Sequence, residues 1–218
     1  SYGVFSVNSA GAWSYTTNDA LNALGFEGIA EDVFEVTTSD GGVGSVTVLI
    51  TGSNDAPILS VSNLSAAEDG DPVSDTATSS DLDTDDTRTF SVSQPALGRG
   101  NVSINETSGV YTFDPSVGFQ HLGAGETETV TFSVTVMDGQ GATDARDVTV
   151  TVVGTNDVPV VADLLINAME DGAAVPGTLE ATDADGDLTA DGFVLQTNVT
   201  EGALTLNADG SFSFDTGT

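Results

Sequence analysis

Three aspartates at alternate positions, Asp183, Asp185 and Asp187, stand in the run Thr182-Asp-Ala-Asp-Gly-Asp-Leu188. Carboxylates spaced this way in a glycine-containing stretch can wrap oxygen ligands around one hard divalent cation, calcium above all. The pattern is also that of a solvated polar turn. An EF-hand loop is excluded, because Leu188 stands where its glycine belongs and Val194 where its bidentate glutamate belongs. The same cluster occurs 102 residues earlier as Asp81-Leu-Asp83-Thr-Asp85-Asp86. At that offset Glu68-Asp69-Gly70 returns as Glu170-Asp171-Gly172, and Gly52-Ser-Asn54-Asp55-Ala-Pro57 as Gly154-Thr-Asn156-Asp157-Val-Pro159. Recurrence in register favours cation ligation, since crowded carboxylates without a counter-charge repel one another and resist ionisation.

Counter-charge is scarce throughout. The 218 residues carry 34 acidic side chains against three basic ones, a formal charge of −31. Such a chain repels nucleic acid and anionic membrane surfaces, so nucleic-acid binding is set aside. Mean hydropathy is slightly positive at +0.05, and valine and threonine alternate in long runs, which argues for a folded chain. The charge must then be neutralised by something, and hard cations outside the cell are the abundant candidates. With no cysteine, disulfides and thiolate metal sites are excluded. No stretch reaches the length of a membrane-spanning helix and no basic, apolar signal region opens the sequence, so any targeting signal is expected elsewhere.

The elements that position these acids read as strands. Thr129 to Val136 and Asp147 to Val152 alternate strictly with β-branched residues, the pattern of half-buried strands. Val33 to Val36 and Val46 to Ile50 repeat the design, with Phe34/Val36 and Val46/Val48/Ile50 on one face each. No convincing helical period occurs. Aromatic pairs Trp13/Tyr15, Tyr111/Phe113 and Phe212/Phe214 each follow a glycine, Gly11, Gly109 or Gly210. They mark one strand in three copies and are assigned to a core rather than to sugar-stacking platforms. The period of 102 is that of whole small β-modules in tandem. Aligning Gly3, Gly100 and Gly202 gives a C-terminal half-module at 1–57, a complete one at 58–158 and an N-terminal half at 159–218. The halves are expected to expose strand edges, and completion between neighbouring molecules by strand exchange is one way to cover them.

The runs Thr182-Asp-Ala-Asp185, Val134-Thr-Val-Met-Asp138-Gly-Gln-Gly141 and Val148-Thr-Val-Thr-Val-Val-Gly-Thr-Asn156-Asp-Val-Pro159 resemble bacterial cadherin-like repeats. More closely, they resemble the VCBS repeats of large secreted or surface adhesins of the RTX type. The resemblance implies an all-β fold of tandem Greek-key sandwiches, cadherin-like or Ig-like, with about seven strands per module. It implies calcium between successive modules, and hence an allocation of ligands. Asn54 and Asp55 would meet Asp81 and Asp83, joined by Asp138 from the end of the penultimate strand. Asn156 and Asp157 would meet Asp183 and Asp185, helped by Glu68 and by Asp114 of Phe113-Asp-Pro115, while Glu170 would serve a junction beyond the sequence. Asp69, Asp85, Asp171 and Asp187 complete the candidate metal ligands through the in-register clusters. The sequence departs from the cadherin linker at Gly52 and Gly154, where that linker opens with an aspartate, and at Ala56 and Val158, where it ends in asparagine. Ser116 stands near the place of a family glutamate. Fewer ligands imply fewer or weaker ions.

An enzyme is not expected. A glycosidase needs two carboxylates once, whereas these repeat with the chain. The single histidine, His121, aligns with Ala23, which makes it a surface residue rather than a base or zinc ligand. No serine triad or phosphate loop is present. The expected function is a calcium-stabilised extender rod of a bacterial surface adhesin, extracellular or secreted, acting in adhesion or biofilm formation. The expected partners are calcium ions and neighbouring repeats of the same polypeptide. Direct binding of polysaccharide or protein by the sandwich, and homotypic contact between rods, are the alternatives.

Overall fold

In the computed structural model the described residues are 1–84, 86–188 and 192–217. Among them the helical content is one three-residue 3-10 turn, Asp19–Leu21, whose first turn is capped by the Asn18 side chain accepting from the Ala20 N–H. The other regular elements are strands. Four come first: β1 Gly3–Val7, β2 Trp13–Thr17, β3 Ile29–Thr37 and β4 Val43–Thr51. They form two antiparallel hairpins, β1 with β2 and β3 with β4. Phe34 pairs across from Val46 and Ala30 from Ile50, so the alternation read in the sequence places both apolar rows on one face.

The central part contains β5 Ile58–Ser60, β6 Leu64–Ala67, β7 Val73–Thr76, β8 Thr78–Ser80, β9 Arg88–Val92, β10 Asn101–Ile104, β11 Val110–Asp114, β12 Thr127–Asp138 and β13 Thr143–Val153. One sheet has the order β10-β11-β7, a second β6-β13-β12-β9, and a short third joins β5 to β8. β6 runs parallel to β13, while the remaining neighbours in these sheets are antiparallel. The neighbours that are not consecutive in sequence give the crossed connections of a Greek-key sandwich. Alternate residues of the two longest strands, Val130, Phe132, Val134 and Val136 on β12 and Val148, Val150 and Val152 on β13, are buried. They face Tyr111 and Phe113 of β11, and the Tyr111 and Phe132 rings meet edge to face at 6.1 Å. Each fully buried aliphatic or aromatic side chain here contributes on the order of 1.5–3 kcal/mol.

Nine strands stand where about seven are expected, because two of the expected strands are interrupted. Between β5 and β6 the backbone of Ser62 is tied to the Tyr111 hydroxyl, which accepts from the Ser62 N–H at 3.1 Å and donates to its carbonyl at 2.7 Å. A buried phenol thus satisfies a backbone that has left one sheet for the other. Between β7 and β8 the Ala77 N–H goes to the Gly109 carbonyl at 2.9 Å.

The last strands are β14 Val160–Val161, β15 Val175–Thr178, β16 Ala181–Thr182, β17 Ala203–Leu206 and β18 Ser211–Asp215. The order β15-β18-β17 repeats that of β7-β11-β10. The core assignment of the aromatic pairs holds for Tyr111 and Phe113, both fully buried, and for Phe212 at 8% exposure. It fails for Trp13, which is 64% exposed. Strand β2 pairs only with β1, whereas β11 and β18 each lie between two neighbours. The Trp13 ring stacks on that of Phe5 at a centroid distance of 6.2 Å.

Candidate metal centres

Two carboxylate clusters form, one against each Asn-Asp linker. In the first, the backbone N–H of Asp55 donates to Asp83 Oδ2 at 2.8 Å, and the Asp83 N–H donates to Asp81 Oδ1 at 3.0 Å. Asp138, the last residue of β12, accepts the Asn54 side-chain amide at 2.8 Å on one oxygen. Its other oxygen takes the N–H groups of Gln140 and Ala142 at 2.9 and 2.8 Å. Carboxylate oxygens of Asp81, Asp86 and Asp138 lie within 4.8 Å of one another. Asp83 and Asp138 are almost wholly buried, at 1% and 3% exposure.

The second cluster repeats two of these bonds. The Asp157 N–H donates to Asp185 Oδ2 at 2.8 Å and the Asp185 N–H to Asp183 Oδ1 at 3.0 Å. Carboxylate oxygens of Asp183, Asp185 and Asp187 lie within 4.8 Å of one another. From the other side comes Glu68, 1% exposed, which accepts the Thr155 N–H at 2.6 Å. Asp69 is held by the Thr155 hydroxyl at 3.0 Å and the Gln120 amide at 2.7 Å.

The acids feel one another. Burial pushes the Asp86 carboxyl above its ordinary value; a hydrogen bond from Gln140 opposes this, and the charges of Asp138, Asp83 and Asp81 add to it. Asp157 is raised first by burial and then by Asp69, Asp185 and Glu68. Asp138 goes the other way. Burial would raise it, but the Asn54 amide and the N–H groups of Ala142, Gln140 and Gly141 together outweigh burial and hold it below the usual carboxylate range.

The decisive feature is what lacks a donor. Among the described residues, the buried side-chain polar atoms without a hydrogen-bond partner are all oxygens, and all belong to these two clusters. The first cluster holds Asn54 Oδ1, Asp81 Oδ2, Asp83 Oδ1 and Asp86 Oδ2; the second holds Glu68 Oε2, Asp157 Oδ2, Asp183 Oδ2 and Asp185 Oδ1. Buried acceptors left unpaired cost about 1–3 kcal/mol each, more when charged. An all-oxygen donor set without sulfur or imidazole suits a hard cation such as calcium.

Most of the sequence candidates are thereby brought together. Asp85 lies outside the described residues. Asn156 is exposed, with its amide turned to the Asp157 carbonyl at 2.6 Å. Asp114 caps its own turn, accepting the Ser116 N–H at 2.9 Å, which holds its carboxyl below the ordinary range. Glu170 and Asp171 are exposed. His121 is a surface residue, its ring 3.2 Å from Glu128. Asp86 was not among the candidates: its counterpart 102 residues on is Leu188, so the repeat does not flag it, although it directly adjoins Asp85 in the acidic run. Gln140 and Thr155, which brace the carboxylates, carry no sequence signal of their own.

No curated protein matches the chain. Among solved structures it is similar to protocadherin gamma B7 extracellular cadherin domains 1–4, at 14% identity and a TM-score of 0.48, over 100% of this chain and 56% of that one. It is similar to protocadherin gamma B2 extracellular cadherin domains 1–5 at 15% identity and a TM-score of 0.49, over 99% of this chain and 44% of that one. Human mucin-like protocadherin EC1-2 aligns at 18% identity and a TM-score of 0.44, over 70% and 79% of the two chains. The chain thus spans about half the length of the first two. The family assignment rests instead on a family model and on the sheets themselves. The model of the bacterial cadherin-like domain matches residues 54–154, the span that runs from the Asn54 linker through β13. Residues 54–154 are a cadherin-like β-sandwich and belong to the bacterial cadherin-like domain family.

Proposed function

We propose that the chain is a stretch of extender rod from a large bacterial adhesin, extracellular on the surface or secreted, in which calcium locks successive sandwiches end to end. In this reading residues 1–57 are the C-terminal half of one cadherin-like repeat, 58–158 a complete repeat and 159–218 the N-terminal half of a further one. The two acidic clusters are then the joints, and the parent's role is adhesion or biofilm formation in the manner of VCBS-bearing RTX adhesins. The observation that carries the proposal is the confinement of the partnerless buried oxygens to the two clusters.

At the first joint Asp81, Asp83, Asp86, Asp138 and Asn54 would hold the ion, and at the second Asp157, Asp183, Asp185 and Glu68, with Asp187 at the rim. A bound cation supplies the positive charge that the chain lacks, turning repulsion at each joint into shared ligation. Between 58 and 158 the exposed large hydrophobic side chains are all aliphatic or methionine, which leaves the complete sandwich without an aromatic platform for sugars and favours a rod over a glycan-binding module.

Calcium titration calorimetry and thermal melts with and without EDTA test this. Binding is expected in the range of extracellular modules, about 10⁻⁴ to 10⁻³ M, with a higher melting temperature in calcium. The paired changes Asp81→Ala and Asp83→Ala should abolish the first site and leave the sandwich folded. Identical melts in calcium and EDTA, with no heat of binding, would sink the proposal.

A further inference from the structure

The acids of the first cluster come from two separate pieces of chain, the loop between β8 and β9 and the end of β12, and one basic side chain ties them together. Asp81 stands two residues after Ser79 of β8, Asp86 two residues before Arg88 of β9, and Asp138 at the end of β12. Strand β8 belongs to the short sheet with β5, which follows the Asn54 linker, whereas β9 belongs to the sheet of β12. Arg88 is the register partner of Asp138 across that sheet. Its guanidinium leaves the sheet and donates from Nη1 to the Ser79 carbonyl at 2.8 Å, with the Ser79 hydroxyl 3.4 Å away. One side chain therefore closes the loop from Ser79 to Arg88 at its base and fixes that base against the strand bearing Asp138.

Resting on the calcium reading above, we propose that Arg88 is a positioning residue for the first joint, a clasp that holds Asp81 and Asp86 within reach of Asp138 before any cation arrives. The requirement is geometric. Asp81 and Asp86 sit at opposite ends of one loop, drawn toward Asp83 by the Asp83 N–H on Asp81 Oδ1 at 3.0 Å and the Asp86 N–H on the Asp83 carbonyl at 3.4 Å. Shutting the loop at its base is what fixes this turn against the strand bearing Asp138. Asp83, 1% exposed with Oδ1 unpartnered, marks the site as one built to hold a ligand, beyond its being an acidic loop.

The second joint provides a comparison within the chain. At the positions 102 residues after Ser79 and Arg88 the sequence has Ala181 and Ala190, the latter outside the described residues. Its acids are the consecutive alternates Asp183, Asp185 and Asp187, already gathered by local spacing. Three carboxylates of one short run are gathered there without a clasp, whereas in the first cluster the third carboxylate, Asp138, comes from a different strand and the loop must be held against it.

The test turns on a sign. Arg88 is a cation beside a cation site, so charge alone predicts tighter calcium binding when it is removed, whereas loss of positioning predicts weaker binding. Calcium calorimetry would be run on the full chain carrying Asp183→Asn and Asp185→Asn to silence the second joint, with Arg88 intact, Arg88→Ala or Arg88→Lys, alongside melts in EDTA. The clasp predicts affinity roughly 10-fold or more weaker for Arg88→Ala, as for other residues that orient metal ligands, and an intermediate loss for Arg88→Lys. Lysine keeps the charge but not the planar fork. Affinity at or above that of the Arg88-intact chain in Arg88→Ala overturns the proposal. Should Arg88→Ala show no cooperative melt in EDTA, Arg88→Lys decides, an unchanged affinity overturning the clasp and a weaker one keeping it. No calcium binding with Arg88 intact would instead defeat the calcium reading at that joint, a different outcome from calcium binding that ignores Arg88.

Discussion

Asp86 shows how a single carboxylate can act in opposite senses with and without a cation. Its folded value is raised, by burial first and by Asp138, Asp83 and Asp81 besides, so the folded state holds this proton more tightly than the unfolded chain does. Its contribution to stability is therefore lost as pH rises from the ordinary carboxyl value, 3.8, through the folded one. At neutral pH the metal-free protein carries that strain, and a cation relieves it. Replacing Asp86 with asparagine should raise the melting temperature in EDTA at pH 7 and lower calcium affinity in calorimetry. A fall in both would show that Asp86 acts by packing rather than by charge. Asp81, Asp83, Asp183 and Asp185 were legible because they recur in register, and Asp138 because it ends a recognisable strand. Asp86 was not, since its counterpart is Leu188. Asp114 stands apart from both clusters' unpaired oxygens, and its sequence position does not reveal that the carboxylate turns back onto the Ser116 N–H.

At the scale of elements, strict alternation gives β12 to within two residues of each end and the buried C-terminal part of β13, because buried apolar rows are what a sandwich core requires, while the exposed start of β13 from Thr143 does not alternate and is missed. The interruptions between β5 and β6 and between β7 and β8 were not legible. Each depends on a distant partner, the Tyr111 hydroxyl for Ser62 and the Gly109 carbonyl for Ala77. Trp13 misled for a similar reason, since its burial depends on a strand beside β2 and not on the alternation within it. Gly109 can be tested directly. It has φ +72°, and a Cβ there would stand 2.5 Å from the Ala77 carbonyl, so Gly109→Ala meets both a left-handed backbone and a clash. Gly125 shares the conformation at φ +80° but has open space. Urea unfolding should show Gly125→Ala destabilised by about 1 kcal/mol and Gly109→Ala by several-fold more. Equal losses would mean that the β7–β8 break yields easily and that the clash is not felt.

For the whole molecule, the charge of −31 and the two clusters belong to one argument. A chain with three basic side chains cannot neutralise its acidic clusters from within, and among the described residues the buried side-chain oxygens it leaves unpaired lie in the two clusters beside the Asn54-Asp55 and Asn156-Asp157 linkers. The period of 102 residues predicts that the strand order recurs, as β15-β18-β17 repeats β7-β11-β10; which oxygens are left without donors is not legible, because that depends on backbone N–H groups that the fold aims at one carboxylate oxygen and not at the other. The central claim is that a cation at these joints limits their motion. Small-angle X-ray scattering of the full chain, recorded in EDTA and across a calcium titration, tests it most directly. The prediction is a change from a flexible, averaged profile to that of a stiff, extended particle, with a midpoint at the calorimetric affinity and with no change in mass. Superimposable profiles in EDTA and in saturating calcium would contradict the claim.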